Sequence, residues 1–258
     1  EITTDLPILL NSKPMIHDCA ITNNYVLIFD LPVTFNTSRR NKDENASDYP
    51  VVWDDNYSSK LGLLNRNTNE IKWIEVPNCF LFHVVNSYED SSGKVILDFC
   101  RYDKLFDFNN PLPFGKKPFL TRWEIDTIKE TCVEKLLDDR PMEFARIHPD
   151  LEGKEYRFSY ILNDGALNNL FKYDFLKDRN EVHHLGEHKK GAEPVFIPKI
   201  DQTSEDSGYV VGFIYDQEVD KSEFIIIDAE NFSEEPLARI QLPSRVPFGF
   251  HGSWINLD

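Results

Sequence analysis

The sequence predicts an all-β fold, specifically a β-propeller, and two observations carry that expectation. The first is a set of short apolar runs rich in β-branched and aromatic residues: YVLIFDLPV (25–33), KVILDF (94–99), YRFSYIL (156–162), YVVGFIYD (209–216) and EFIIID (223–228). Each is bounded by Asn, Asp, Gly, Pro or Ser, as strands are, and no long segment of helical period appears. The second is a repeating hairpin. KLGLLNRNTNEIKWIEV (60–76), LTRWEIDTIKETCVEKL (120–136), LFKYDFLKDRNEVHHLG (170–186) and EFIIIDAENFSEEPLARIQL (223–242) share one shape. A strand ends in Asn or Asp, a few polar residues turn the chain, and a second strand follows. Asn and Asp suit such turns because their side chains bond nearby backbone amides and tolerate left-handed backbone. Successive starts are 60, 50 and 53 residues apart. That period, with four strands per unit, matches a propeller blade.

Between these elements, 34–50 reads as a polar loop of mixed charge, and the aromatic, proline-rich 103–119 as a segment lying over one face. The whole chain, 258 residues, is expected to belong to a single propeller domain. Its 28 basic against 44 acidic residues leave a net charge of −16, which repels nucleic-acid phosphate and anionic lipid. No apolar run reaches the ~18–20 residues of a membrane-spanning helix. Cys19, Cys79, Cys100 and Cys132 form no CxxC and no disulfide-like spacing. They read as reduced thiols on strands, and with no signal peptide in view the expected location is cytoplasmic.

In a propeller the outer hairpin of one blade leads to the innermost strand of the next, so residues just past each hairpin are of special interest. His83, Glu143 and Glu193 each lie 7 residues beyond a hairpin, His251 lies 9 beyond the last, and His17 precedes the strand YVLIFDL. Neutral imidazoles suit iron, zinc, copper or nickel. A carboxylate behind a metal-bound histidine fixes its tautomer and orientation. The plainer reading stands beside this one: histidines on strands are commonly structural, and Glu143 and Glu193 are equally explicable as surface acids. His148, His183, His184 and His188 lie in polar surroundings and are expected to be solvated.

At these same residues the sequence resembles the carotenoid oxygenase family, the carotenoid cleavage dioxygenases and their lignostilbene-cleaving relatives. PMIHDCAITNNYVLIFDLPV is similar to the family's His-Asp-Phe-Ala-Ile-Thr segment, and CFLFHVVNSYED to its Phe-His-x-x-Asn-Ala-Tyr-Glu segment. DDRPMEFARIHP, AEPVFIPK and VPFGFHGSWI resemble three further signatures, in the family's order. Cys19 and Ser87 depart from the pattern where the family has Phe and Ala. The resemblance implies a seven-bladed propeller carrying non-haem Fe(II) on four histidines, three of them backed by glutamates. Carried over, His17, His83 and His251 are three metal ligands, and Glu143 and Glu193 support His83 and His251. The remaining ligand, the third glutamate and the opening blades are then expected upstream. The chain is thus expected to be the C-terminal part of the domain, about four blades of seven.

The implied activity is dioxygenation: O2 adds across one carbon–carbon double bond of a carotenoid, apocarotenoid or stilbene and yields two carbonyl products. No organic cofactor is expected. Phe248, Phe250 and Trp254 beside His251, and Phe80 and Phe82 beside His83, are candidates for an apolar substrate channel, or simply for the core. Two other classes remain open at this point: a three-histidine zinc hydrolase, and an inactive propeller fragment that only binds a partner. Peripheral membrane contact by the full-length parent and the oligomeric state are left open as well.

Overall fold

The four recurring hairpins form as expected, and a polar side chain explains each turn. The computed structural model describes residues 5–10, 12–35, 49–107, 117–247 and 250–255. Asn65 Oδ1 accepts from the amides of Asn67 and Thr68, at 2.9 and 3.0 Å. Asp126 Oδ1 does the same for Ile128 and Lys129, at 3.0 and 2.9 Å. Asp174 and Asp228 repeat the device with Lys177 and Glu230, at 3.2 and 3.0 Å. In the first three turns the residue four positions on takes the left-handed conformation: Asn69 (φ 61°), Glu130 (φ 57°) and Asp178 (φ 47°). The turns are therefore built by the residue types the repeat singled out.

The chain divides into two compact units, Glu1–Leu137 and Asp138–Asp258. In the first, β1 (Ala20–Ile21), β2 (Tyr25–Asp30), β3 (Val33–Phe35), β4 (Val51–Trp53), β5 (Lys60–Asn65), β6 (Ile71–Glu75), β7 (Phe80–Glu89), β8 (Val95–Tyr102) and β9 (Phe119–Asp126) are followed by the long β10 (Thr131–Arg146). One antiparallel blade has the order β1-β2-β5-β6, a second runs β7-β8-β9-β10, and β3-β4 form a separate ribbon. Leu27, Leu61, Leu63, Leu97, Phe99 and Trp123 are among the buried residues of their shared core. Phe99 and Trp123 meet edge to face at 4.8 Å between centroids.

The boundary between the units falls within β10, whose last residues open the third blade. There β10 pairs with β11 (Phe158–Asn163), which leads to β12 (Asn169–Asp174) and β13 (Arg179–His184). The fourth blade has β14 (Lys189–Gly191) and β15 (Val195–Pro198) along one edge of β16 (Gly208–Asp216), followed by β17 (Lys221–Asp228) and β18 (Ala238–Gln241). Tyr160 stacks on Phe196 at 5.2 Å in the core of this unit. Among the described residues there are thus four antiparallel blades, the edge of the fourth split into two strands, and the fold is the expected all-β propeller architecture. No helix among the described residues is long and apolar enough to cross a membrane.

Most of the polar loop 34–50 and the middle of 103–119 lie outside the described residues. The described start of the second packs on the β3-β4 ribbon: Leu105 and Phe106 join Val33, Val51 and Trp53 in one apolar cluster. All four cysteines are free thiols. Cys100 and Cys132 lie on strands, whereas Cys19 and Cys79 directly precede β1 and β7.

Two histidines expected to be solvated are buried. His148 caps the short 3-10 turn Pro149–Leu151, its Nδ1 accepting from the Asp150 amide at 3.2 Å, and its Nε2 lies 3.0 Å from Gln202 Oε1. His183 is only 3% exposed, with Nδ1 3.1 Å from the Phe232 carbonyl oxygen. The local sequence NEVHHLG is polar, yet strand alternation turns His183 inward and His184 outward. Burial pushes the His183 pKa down from its ordinary value. The unfolded chain therefore takes up the proton first as pH falls, and this contribution is intact above about pH 6.5 and lost below it. In urea denaturation, the stability advantage of wild type over His183→Gln should shrink between about pH 7.5 and pH 5. A constant offset across that range would refute the assignment.

Candidate metal centre

In the first unit, His17 and His83 come together. His17 precedes β1, the two-residue edge strand of the first blade, and His83 lies on β7, the edge strand of the second. Their rings meet edge to face, centroids 5.3 Å apart, and ligand nitrogens of the two lie within 4.8 Å. The β7–β8 register explains how His83 is aimed. Leu81 faces Arg101, Val84 faces Phe99 and Asn86 faces Asp98, so β7 carries an extra residue on each side of Val84. Such bulges re-aim side chains near functional sites. Phe82 packs its edge against His17 at 5.0 Å, and fully buried Phe80 lies behind Phe82 at 5.0 Å.

Two carboxylates stitch the His17 segment to β7. Asp18 Oδ2 accepts from the Val84 amide at 2.9 Å while Oδ1 accepts from the Cys19 amide at 2.8 Å. At the far end of β7, Glu89 accepts from the Asn24 amide at 2.9 Å and from the Thr22 hydroxyl. Between them, the Ser87 hydroxyl donates to the Ile21 carbonyl at 2.7 Å.

In the second unit, Glu193 and His251 come together. Glu193 sits in the break between β14 and β15, which both pair with β16. Pro194, which lacks an N–H, follows it there. Its carboxylate is buried and gathers three groups. His251 Nδ1 lies 3.3 Å from Oε1, and the Gly252 amide donates to Oε2 at 2.9 Å. Arg146, the last residue of β10, places Nε 2.9 Å from Oε1 and donates from Nη2 to Oε2 at 3.0 Å, with a further contact to the Gly252 carbonyl at 3.2 Å. We assign the His251 proton to Nδ1, facing the carboxylate, which leaves the Nε2 lone pair as the ring's donor. Glu143 is 2% exposed, on a bulge of β10 where Phe144 has φ 57°.

A cleft of about 380 Å³ opens beside Glu193 and His251, lined by Val195, Val211, Phe213 and Phe224 together with Phe250 and Trp254. Phe250 (φ 63°) and Trp254 are 69% and 53% exposed, so neither is a core residue. Phe248 lies outside the described residues.

With this geometry in hand, the comparisons with known proteins decide the family. The model of the family RPE65, retinal pigment epithelial membrane protein, matches residues 1–256. The chain belongs to this family, that of the carotenoid oxygenases. A carotenoid cleavage oxygenase of Mycobacterium tuberculosis is 28% identical, the match covering 94% of this chain and 58% of the relative. A carotenoid 9,10(9',10')-cleavage dioxygenase 1 of Phaseolus vulgaris is 30% identical, over 97% of this chain and 50% of the relative. Among solved structures, cobalt-substituted ACO of Synechocystis superposes with a TM-score of 0.86 at 28% identity, covering 95% of this chain and 53% of that one. The chain spans about half the length of the relatives it matches.

Within this carotenoid-oxygenase chain, reasoning from the sequence missed Asp18 and Arg146. Both lie within quoted motifs, HDCAIT and MEFARIHP, but their partners are backbone groups or a carboxylate distant in sequence. Arg146 supplies the countercharge of a buried carboxylate. Replacing it by Met should cost about 1–3 kcal/mol, because Glu193 loses its charged donor. Adding Glu193→Gln should recover much of that loss in a denaturant double-mutant cycle. Additive losses would show that the pair is not coupled.

Proposed function

We propose that the protein containing this chain is an iron-dependent carotenoid cleavage oxygenase. It adds O2 across one double bond of an apolar, conjugated substrate, giving two carbonyl products. In this reading His17, His83 and His251 hold one Fe(II), with Glu143 and Glu193 behind the histidines. The observation that carries it is the His17–His83 imidazole pair on a chain whose relatives are named carotenoid cleavage enzymes. That one relative is described as cobalt-substituted supports a first-row metal in this family.

The donor set fits such an ion, since imidazole suits iron and brings no negative charge. When bound, Fe(II) would supply the redox centre at which O2 and the alkene meet. The protein's own part is orientation. Glu193 holds the proton on His251 Nδ1, so that Nε2 keeps its lone pair, and Arg146 and the Gly252 amide hold Glu193. Phe82 packs an apolar ring against His17, and Phe213, Phe224 and Trp254 give the cleft beside His251 a surface suited to a polyene chain rather than a charged substrate. Stilbenes offer the same kind of conjugated double bond and belong to the same reading.

The test is the metal content of the full-length protein that contains this chain, purified anaerobically with Fe(II), followed by assay on an apocarotenal and a stilbene. Near-stoichiometric iron, lost in His83→Ala, with aldehyde products from either substrate, is the expected result. Glu193→Gln should weaken iron retention by ~10–100-fold. Zinc in place of iron would favour hydrolysis, and a folded full-length protein without metal would overturn the site and favour a binding module.

A further inference from the structure

The bond between Asp18 and Val84 joins the residue after one candidate ligand to the residue after the other. We propose that Asp18 is a positioning residue, setting the separation and relative tilt of the His17 and His83 imidazoles. The inference rests on the proposed metal site and adds to it a residue that touches neither metal nor substrate.

The geometry makes the case. β7 stands at the edge of its sheet among the described strands, and the Val84 amide on it is taken by a side chain, that of Asp18. Two register shifts interrupt the β7–β8 ladder on either side of the Val84–Phe99 pair, so regular pairing does not by itself fix the strand there. Asp18 Oδ2 takes the Val84 amide at 2.9 Å, and Oδ1 takes the Cys19 amide at 2.8 Å. The second bond closes the carboxylate onto its own backbone, so its direction is fixed by the chain that carries His17. A carboxylate is the suitable group here because both oxygens accept and neither donates. An asparagine must turn its NH2 toward one of the two amides and loses that bond. The bonds of Glu89 and Ser87 hold the same two segments together further along β7, so the strands stay associated without Asp18. What Asp18 adds is register at the histidine end.

The metal-free test is nuclear magnetic resonance on the whole chain. Wild type should show ring-to-ring contacts between His17 and His83 and slow hydrogen exchange at the Val84 amide. Asp18→Ala should lose the ring contacts and exchange Val84 at least ~10-fold faster, with the remaining strand amides unchanged. Asp18→Asn should fall between the two. The second readout is Co(II) titration. Asp18→Ala should bind ~10–100-fold more weakly than wild type and shift the visible cobalt bands, the range found for residues that orient metal ligands. Unchanged ring contacts and Val84 exchange in a folded Asp18→Ala chain would overturn the inference. Absence of Co(II) binding in wild type, with the ring contacts present and dependent on Asp18, would instead count against the metal-site reading and leave the positioning role standing.

Discussion

The structure depends on what happens to the free edge of each blade. An antiparallel meander satisfies the backbone of its inner strands and leaves one row of amides and carbonyls exposed at the first strand. Here a carboxylate takes one amide of that row, on β7, and two others take amides in the β1–β2 turn and beyond β18. Asp18 takes the Val84 amide and Glu89 the Asn24 amide, while Glu193 takes the Gly252 amide. The candidate ligands sit beside these amides, at positions 83 and 251. Holding a backbone amide and aiming the imidazole next to it are thus parts of one arrangement. A carboxylate that accepts backbone amides is held stationary, and a neighbouring ring can be held by it or by the chain it anchors.

The price of this arrangement is backbone irregularity. Every candidate residue lies where regular pairing fails: His17 ahead of a two-residue strand, His83 within the first of two register shifts, Glu143 at a bulge, Glu193 in a strand break and His251 beyond the last described strand. Phe144 and Phe250, the neighbours of Glu143 and His251, take left-handed backbone that a bulky residue adopts only under constraint. Strict alternation sends neighbouring side chains to opposite faces of a sheet. A bulge breaks that rule locally and lets one strand present a ligand without turning its apolar neighbours out of the core.

How much of this the sequence shows depends on the range of the interaction. The turns were fully legible, because Asn65, Asp126, Asp174 and Asp228 act on amides two or three residues away. The strands were legible for a similar reason, since alternation and β-branching are local. The family resemblance singled out the five candidate residues through short motifs in order. The carboxylate bonds were not legible: Asp18 reaches 66 residues and Arg146 reaches 47, and no local pattern marks either partner. His183 was misread because a polar stretch says nothing about which of two adjacent histidines faces inward. The bulges were invisible for a related reason, as one added residue leaves composition and hydrophobic pattern almost unchanged.

The Arg146 fork has a consequence for the order in which the second unit is completed. One guanidinium at the end of β10 joins a carboxylate in the fourth blade's edge to the carbonyl of Gly252, 106 residues further along the chain. Contacts of such sequence separation close late, after the local hairpins have paid their own chain entropy. His251 has no strand of its own among the described residues and takes its bearing from Glu193 and the adjoining Gly252. Its orientation therefore reports that the third and fourth blades have both formed, and a partly folded chain would hold correct hairpins and no aligned imidazole. A lysine at 146 would keep the charge but lose the planar fork, so the time at which the ring locks would change even where net charge did not.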